Sequence, residues 1–170
     1  VVLLASSARE PSGRYSLSYL QRLASLTTSL RKRGVRVVAQ TPLPRFPGSF
    51  DPICVYPLQW FQPGRGERCG AEVRLSRVAE WRRVAPMLDQ LGALRRDHGL
   101  LVWDAFSELC PADQAQCSTH RSGVRLYRDE GHLSGRGADF LLASLQTVLF
   151  SDRAVPVVDP AMGARPASGG

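Results

Sequence analysis

Close to the C-terminal end the chain reads LYRDEGHLSGRGA, which sets Asp129 three residues before His132 on a loop that runs directly into a helix. At that spacing a carboxylate can accept the Nδ1 proton of an imidazole. Such a bond fixes the tautomer, stabilises the imidazolium formed during proton transfer and leaves Nε2 to activate a hydroxyl. The plainer alternative is a surface turn in which Asp129 caps and His132 is solvated. Other residues capable of chemistry have simpler accounts. Ser6 and Ser7 are nucleophiles by type, but small polar residues at the end of a strand are usual loop formers. His98 falls at a helix C-terminus, where the dipole explains it, and His120 sits in the polar loop STHRSG. Asp104 reads as a helix cap or loop anchor. Arg128 and Arg136 flank the Asp-His pair and are of a type that holds an anionic ligand, although a solvated role is the simpler one in so arginine-rich a chain. Trp60 and Phe61 either stack on a ligand ring or cover the core.

The elements that must position these residues follow from hydrophobic period and turn chemistry. Val1 to Ala5 is a short apolar run of the buried-strand kind. Leu17, Leu20, Leu23, Leu26 and Leu30 then recur at helical spacing within Tyr15 to Arg33. Gly34 stands where a helix C-cap glycine belongs, and Val35 to Ala39 follows as a β-branched strand, which makes a βαβ unit. Residues 41–70 are too dense in proline for a helix interior or a central strand and must form a long loop. Helical spacing returns from Ala71 to about Arg96 through Val73, Val78, Trp81, Val84, Leu88, Leu91 and Leu94, with a break or kink expected at Pro86 and an end at Gly99. Leu100 to Phe106 reads as the next buried strand. Ser134 is a good N-cap for an apolar helix over Ala138 to Phe150, and residues 151–170 read as a flexible tail. Strands alternating with helices at this interval predict an α/β fold with a parallel sheet covered on both faces. In such a sheet the loops carrying Ser6, Thr41, Asp104 and His132 converge beyond the C-terminal strand ends.

The totals fit one domain. With 170 residues, 44% hydrophobic and 22% charged, the chain has the size and balance of a single core. VVLLA is already a buried-strand pattern without a cap or leader before it, so the chain is expected to begin inside a domain. No apolar run approaches the roughly 20 residues of a membrane-spanning helix. The formal net charge is +7, but Lys32 is the only lysine and the arginines are spread over every segment, so codon composition accounts for the charge and no nucleic-acid partner is expected. Cys54, Cys69, Cys110 and Cys117 show neither a C-x-x-C pair nor a histidine at zinc-finger spacing. Disulfides are the favoured reading over four buried thiols, and three pairings are possible. The local pairing, Cys54 with Cys69 and Cys110 with Cys117, would close two irregular loops for roughly 2.5 to 3 kcal/mol each and would favour an oxidising compartment.

The block D-x-x-H-L-S-x-x-G-A, preceded by a tyrosine, resembles the last motif of SGNH (GDSL-like) hydrolases, in the version fused to integral-membrane sugar O-acyltransferases of acyltransferase family 3. VVLLA, the helix ending in RKRGVRVV, PLPRF, the loop holding Cys54, LVWDAFSELC and YRDEGHLSGRGA occur in that family's order. The resemblance implies the C-terminal part of an SGNH domain over residues 1–150, a three-layer α/β/α sandwich of flavodoxin-like kind that lacks its N-terminal strand-helix portion. It puts the catalytic Asp and His on Asp129 and His132 and the family's C-terminal cysteine pair on Cys110 and Cys117. The implied activity is transfer of an acyl group, commonly acetyl, onto or off a carbohydrate hydroxyl through a serine ester, with no metal or organic cofactor. Implied too are a membrane acyltransferase partner in the same polypeptide and a periplasmic or otherwise extracytoplasmic setting.

Two features depart from the family pattern. The chain holds neither a Gly-Asp-Ser motif nor a G-x-S-x-G elbow, so the nucleophile is expected upstream of Val1 and this part alone is expected to be inactive. It also contains no asparagine, so an oxyanion hole must use backbone N–H groups, near Ser6 and Ser7, or donors from upstream. A free-standing secreted esterase is the competing enzymatic reading, and a carbohydrate-binding domain without its nucleophile is the non-catalytic one.

Overall fold

In a computed structural model the described residues are 1–4, 13–46 and 71–150. Three parallel strands organise them: β1 (Val2–Leu4), β2 (Val37–Gln40) and β4 (Leu101–Trp103), in the order β1-β2-β4. Val2 pairs with Val37 and Val38 with Leu101, so the strands start at one end of the sheet and finish together at the other. The chain is therefore α/β with a parallel sheet, as its alternating pattern predicts.

Helix α1 (Leu17–Arg31) joins β1 to β2. The hydroxyl of Ser16 accepts the Tyr19 N–H at its start, and Gly34 takes φ +75° just beyond its end, a left-handed turn that a Cβ would oppose. Its buried positions are Leu23 and Thr27, with Leu20 and Leu30 partly buried; Leu17 and Leu26 face solvent despite their spacing. Thr27 is tolerated inside because its hydroxyl donates to the Leu23 carbonyl one turn back, at 2.7 Å.

The second long helix differs from expectation at both ends of its first half. Strand β3 (Arg74–Ser76) occupies the region expected to open the helix and pairs antiparallel with β5 (Gln116–Ser118). Helix α2 (Arg77–His98) then starts after its N-cap Ser76, whose hydroxyl accepts the Ala79 N–H. It runs through Pro86 without a break. Proline removes one helical hydrogen bond, to the Arg82 carbonyl, and because Arg82 is exposed, water can replace that bond. Gly99, at φ +69°, ends the helix as expected. The buried face of α2 is Arg77, Glu80, Val84, Met87, Leu91 and Leu94, so two charged residues sit where the hydrophobic count had placed Val78, which is exposed.

After β4, Asp104 caps a five-residue helix, α3 (Ala105–Leu109), by accepting the Ser107 N–H. The strand expected over Leu100 to Phe106 is therefore shorter, because the capping carboxylate turns the chain into this helix. A disulfide joins Cys110 to Cys117, the pairing the family resemblance implies, while Cys54 and Cys69 lie outside the described residues. It ties the end of α3 to β5. A two-residue hairpin, β6 (His120–Arg121) and β7 (Val124–Arg125), leads into the last helix, α4 (Gly135–Phe150). The core gathers Val37, Val38 and Ala39 of β2, Val102 and Trp103 of β4, Val84, Met87 and Leu91 of α2, and Leu141 and Val148 of α4. Trp103 Nε1 donates to Ser144 Oγ at 3.1 Å and so fastens α4 to β4. The tail expected over 151–170 lies outside the described residues.

Candidate active site

The loop from Arg128 to Leu133 is held at both ends. Leu126 and Tyr127, fully buried, enter it, and Tyr127 bridges to Leu133 on the way out. Ser134 closes the loop three ways: its N–H donates to the Leu126 carbonyl at 2.8 Å, its hydroxyl donates to the Arg125 carbonyl at 2.8 Å, and the same hydroxyl accepts the Gly137 N–H at 3.0 Å as the N-cap of α4. Gly137 permits this approach, because a Cβ there would stand 2.0 Å from the Leu126 carbonyl oxygen.

Inside this frame the structure brings Asp129 and His132 together. His132 Nδ1 lies 2.8 Å from Asp129 Oδ1 and 3.0 Å from Oδ2. Asp129 Oδ1 also accepts the backbone N–H groups of Gly131 at 3.0 Å and His132 at 2.9 Å. A carboxylate is an acceptor only, so Nδ1 carries a proton in this pair, and the neutral tautomer compatible with it has Nε2 as the acceptor. Partial burial pushes the Asp129 carboxyl upward, but the Gly131 N–H and the His132 side chain and N–H outweigh it and hold the carboxyl below its ordinary range. Asp129 is 16% exposed and His132 75%, so the carboxylate is fixed while the imidazole presents itself to whatever approaches. The arrangement can take a proton from a hydroxyl and return it to a leaving group.

The loop lies at the end of the sheet where parallel strands finish. The Thr41 N–H donates to the Trp103 carbonyl at 2.9 Å as the chain leaves β2, and the Phe46 N–H donates to the Glu130 carbonyl at 2.8 Å. A partly buried ion pair anchors this connecting segment from α2. Glu80 Oε2 accepts from Arg83 at 2.7 Å and from the Arg45 N–H at 3.0 Å, while Arg83 Nη2 also donates to the Leu43 carbonyl at 2.9 Å. The Phe46 ring packs edge-on against Tyr127, with centroids 4.8 Å apart. Glu80, Arg83, Phe46 and Tyr127 therefore support the site without being legible as site residues in the sequence. Their signal is the spacing of Arg77, Glu80, Val84, Met87, Leu91 and Leu94 on one helical face, which puts charge inside.

Of the other candidates, Asp104 is the cap of α3 and lies 3.5 Å from Thr41 Oγ1. His98 meets Thr28 Oγ1 at 3.1 Å at the foot of the helices, and His120 meets Thr119 Oγ1 at 3.0 Å, so neither joins the dyad. Arg128 Nε stands 3.6 Å from Asp129 Oδ2 and is largely exposed, and Arg136 is exposed in the first turn of α4. Ser6, Ser7, Trp60 and Phe61 lie outside the described residues. Among the described residues no group of three His, Cys, Asp or Glu side chains could hold a metal ion.

The family model of the SGNH domain (fused to AT3 domains) matches residues 1–146. The chain belongs to this family. No curated protein and no solved structure matches it. An SGNH domain of this kind goes with acyl transfer or ester hydrolysis, and the fusion that gives the family its description is consistent with a membrane acyltransferase domain in the same polypeptide.

Proposed function

We propose that this SGNH domain moves an acyl group, acetyl in the family's common case, onto a carbohydrate hydroxyl, with His132 as general base and acid and Asp129 as its orienting carboxylate. The observation that carries the reading is the bidentate approach of His132 Nδ1 to a carboxylate already held by two backbone N–H groups. It fixes the tautomer that proton abstraction requires. The nucleophilic serine is supplied by polypeptide upstream of Val1, where a Gly-Asp-Ser strand end would add to the outer edge of β1 and complete a three-layer α/β/α sandwich. The order β1-β2-β4 supports this, because β1 is an edge strand among the described residues. The setting is extracytoplasmic, which the Cys110–Cys117 bond supports, since disulfides persist in oxidising compartments.

In the first half-reaction the serine Oγ attacks the acyl carbonyl as His132 Nε2 takes the hydroxyl proton. The bond from carbonyl carbon to leaving group breaks, and His132 returns the proton to the leaving group. In the second half-reaction the sugar hydroxyl repeats the attack on the serine ester and regenerates the serine. With no asparagine in these residues, backbone N–H groups near Ser6 and Ser7, or donors supplied upstream of Val1, hold the oxyanion.

The test is acyl transfer by the intact polypeptide that contains this chain. His132→Ala is expected to lower the rate about a thousandfold or more. Unchanged turnover in that variant would overturn the catalytic reading and leave a carbohydrate-binding domain. Product analysis separates the enzymatic readings, since an acylated sugar means transfer and a free acid means an esterase.

A further inference from the structure

The segment PLPRF, residues 42–46, braces the dyad loop through its main chain and one ring. The Leu43 carbonyl accepts from Arg83, the Arg45 N–H donates to Glu80, the Phe46 N–H donates to the Glu130 carbonyl, and the Phe46 ring packs on Tyr127. None of these contacts uses the Arg45 side chain. It is exposed, and it lies along the middle of the dyad loop: a Cβ at Gly131 would stand 3.4 Å from Arg45 Nε and 3.9 Å from its Cγ. Gly131 gives its N–H to Asp129 Oδ1, and His132 follows it directly.

Among the described residues the Arg45 guanidinium has neither an ion pair nor a hydrogen bond. No helix dipole explains the charge, since Arg45 lies in the connection that leaves β2. Arg128 differs, because its Nε already stands 3.6 Å from Asp129 Oδ2. A guanidinium presents five N–H donors in a planar fork that matches a carboxylate or a phosphate. With its main chain fixed at Glu80 and its stem against Gly131, Arg45 has already lost part of the freedom that forming an ion pair ordinarily costs. The His132 imidazole, 75% exposed, opens from the same loop. Consecutive Cα atoms are about 3.8 Å apart, less than the width of a pyranose with its substituents, so one sugar spans the step from His132 to Gly131.

We infer that Arg45 binds a negative charge on the acceptor, so that the sugar acylated at this site is an acidic one carrying a carboxylate or a phosphate. The acceptor's role rests on the acyl-transfer reading, but its binding does not require turnover and is tested without it.

The experiment is a saturation-transfer NMR titration of the intact polypeptide that contains this chain, with methyl glucoside, methyl glucuronoside and methyl glucoside 6-phosphate. At least one of the two anionic sugars is expected to bind about fivefold more tightly than methyl glucoside, and the preference is expected to shrink as salt is added. Which of the two binds better tells a carboxylate site from a phosphate site. Arg45→Gln, which leaves the main-chain bond to Glu80 in place, is expected to weaken the anionic sugars to the level of methyl glucoside. Arg45→Lys is expected to keep part of the preference, and Arg22→Gln, an equal change of charge on the exposed face of α1, to keep all of it. Binding of neither anionic sugar more tightly than methyl glucoside, or a preference that survives Arg45→Gln, would overturn the assignment. Failure of the acyl-transfer reading shows separately, as turnover that His132→Ala leaves unchanged.

Discussion

Asp129 is the most heavily bonded side chain of the site, and its protonation state is the variable that sets the loop. Its carboxyl is held below the ordinary value, so the stabilisation it gives is fully present above the unfolded value near 3.8 and is lost as the pH falls through the lower folded value. Since Gly131 and His132 donate their N–H groups to the same oxygen, their amide resonances are expected to shift together on acidification below about pH 4. Asp129→Asn is expected to abolish that shared step and to lower acyl transfer by the intact polypeptide about ten-thousandfold, because a neutral amide does not stabilise an imidazolium. Tyr127 gives a contrasting case. Burial pushes its phenol upward, Glu80 adds to this and Arg83 opposes it, yet among the described residues neither Tyr127 OH nor Arg83 Nη1 has a hydrogen-bond partner. Tyr127→Phe keeps the ring against Phe46 and removes a buried unpaired hydroxyl, so urea unfolding is expected to show a gain of about 1 kcal/mol. A loss of that size would mean that the hydroxyl is bonded.

Among the elements, what the sequence makes legible depends on how local the cause is. Ser16 and Ser134 as caps, Gly34 and Gly99 as helix ends, and the D-x-x-H pair all act within a few residues, and the structure confirms each geometry. The three-residue strands β3 and β5 are too short to show a period. They exist because Arg74, Leu75 and Ser76 find Ser118, Cys117 and Gln116 across a disulfide-closed loop. Glu80 and Arg83 carry no local signal of their role, because nothing nearby in sequence announces the Leu43 and Arg45 backbone groups that they bind. Gly137 lies between these cases: its position in SGRGA was visible, but the reason for it is the Leu126 carbonyl pressed against α4. Gly137→Ala is expected to lower the unfolding free energy by about 2 kcal/mol or more despite alanine's better helix propensity, because the clash is with backbone. Thermal unfolding checks this, and a stabilised variant would contradict the close approach.

For the molecule as a whole, the Cys110–Cys117 bond joins the end of the short helix after the sheet to β5, ahead of the hairpin and the dyad. Breaking it restores freedom to a short loop, and reduction is expected to cost about 2.5 kcal/mol, read as a fall in unfolding midpoint between oxidised and reduced samples. An unchanged midpoint would show that the sheets alone hold this region. The two halves of the acid-base couple, in contrast, are joined by a handful of intervening bonds and by a carboxylate that their own amides grip. Their mutual distance is therefore insensitive to loosening elsewhere, whereas their distance from any residue on another strand is not. Warming the domain should thus degrade aim before it degrades proton transfer: the imidazole stays coupled to its carboxylate while the bearing of Nε2 on a distant hydroxyl drifts.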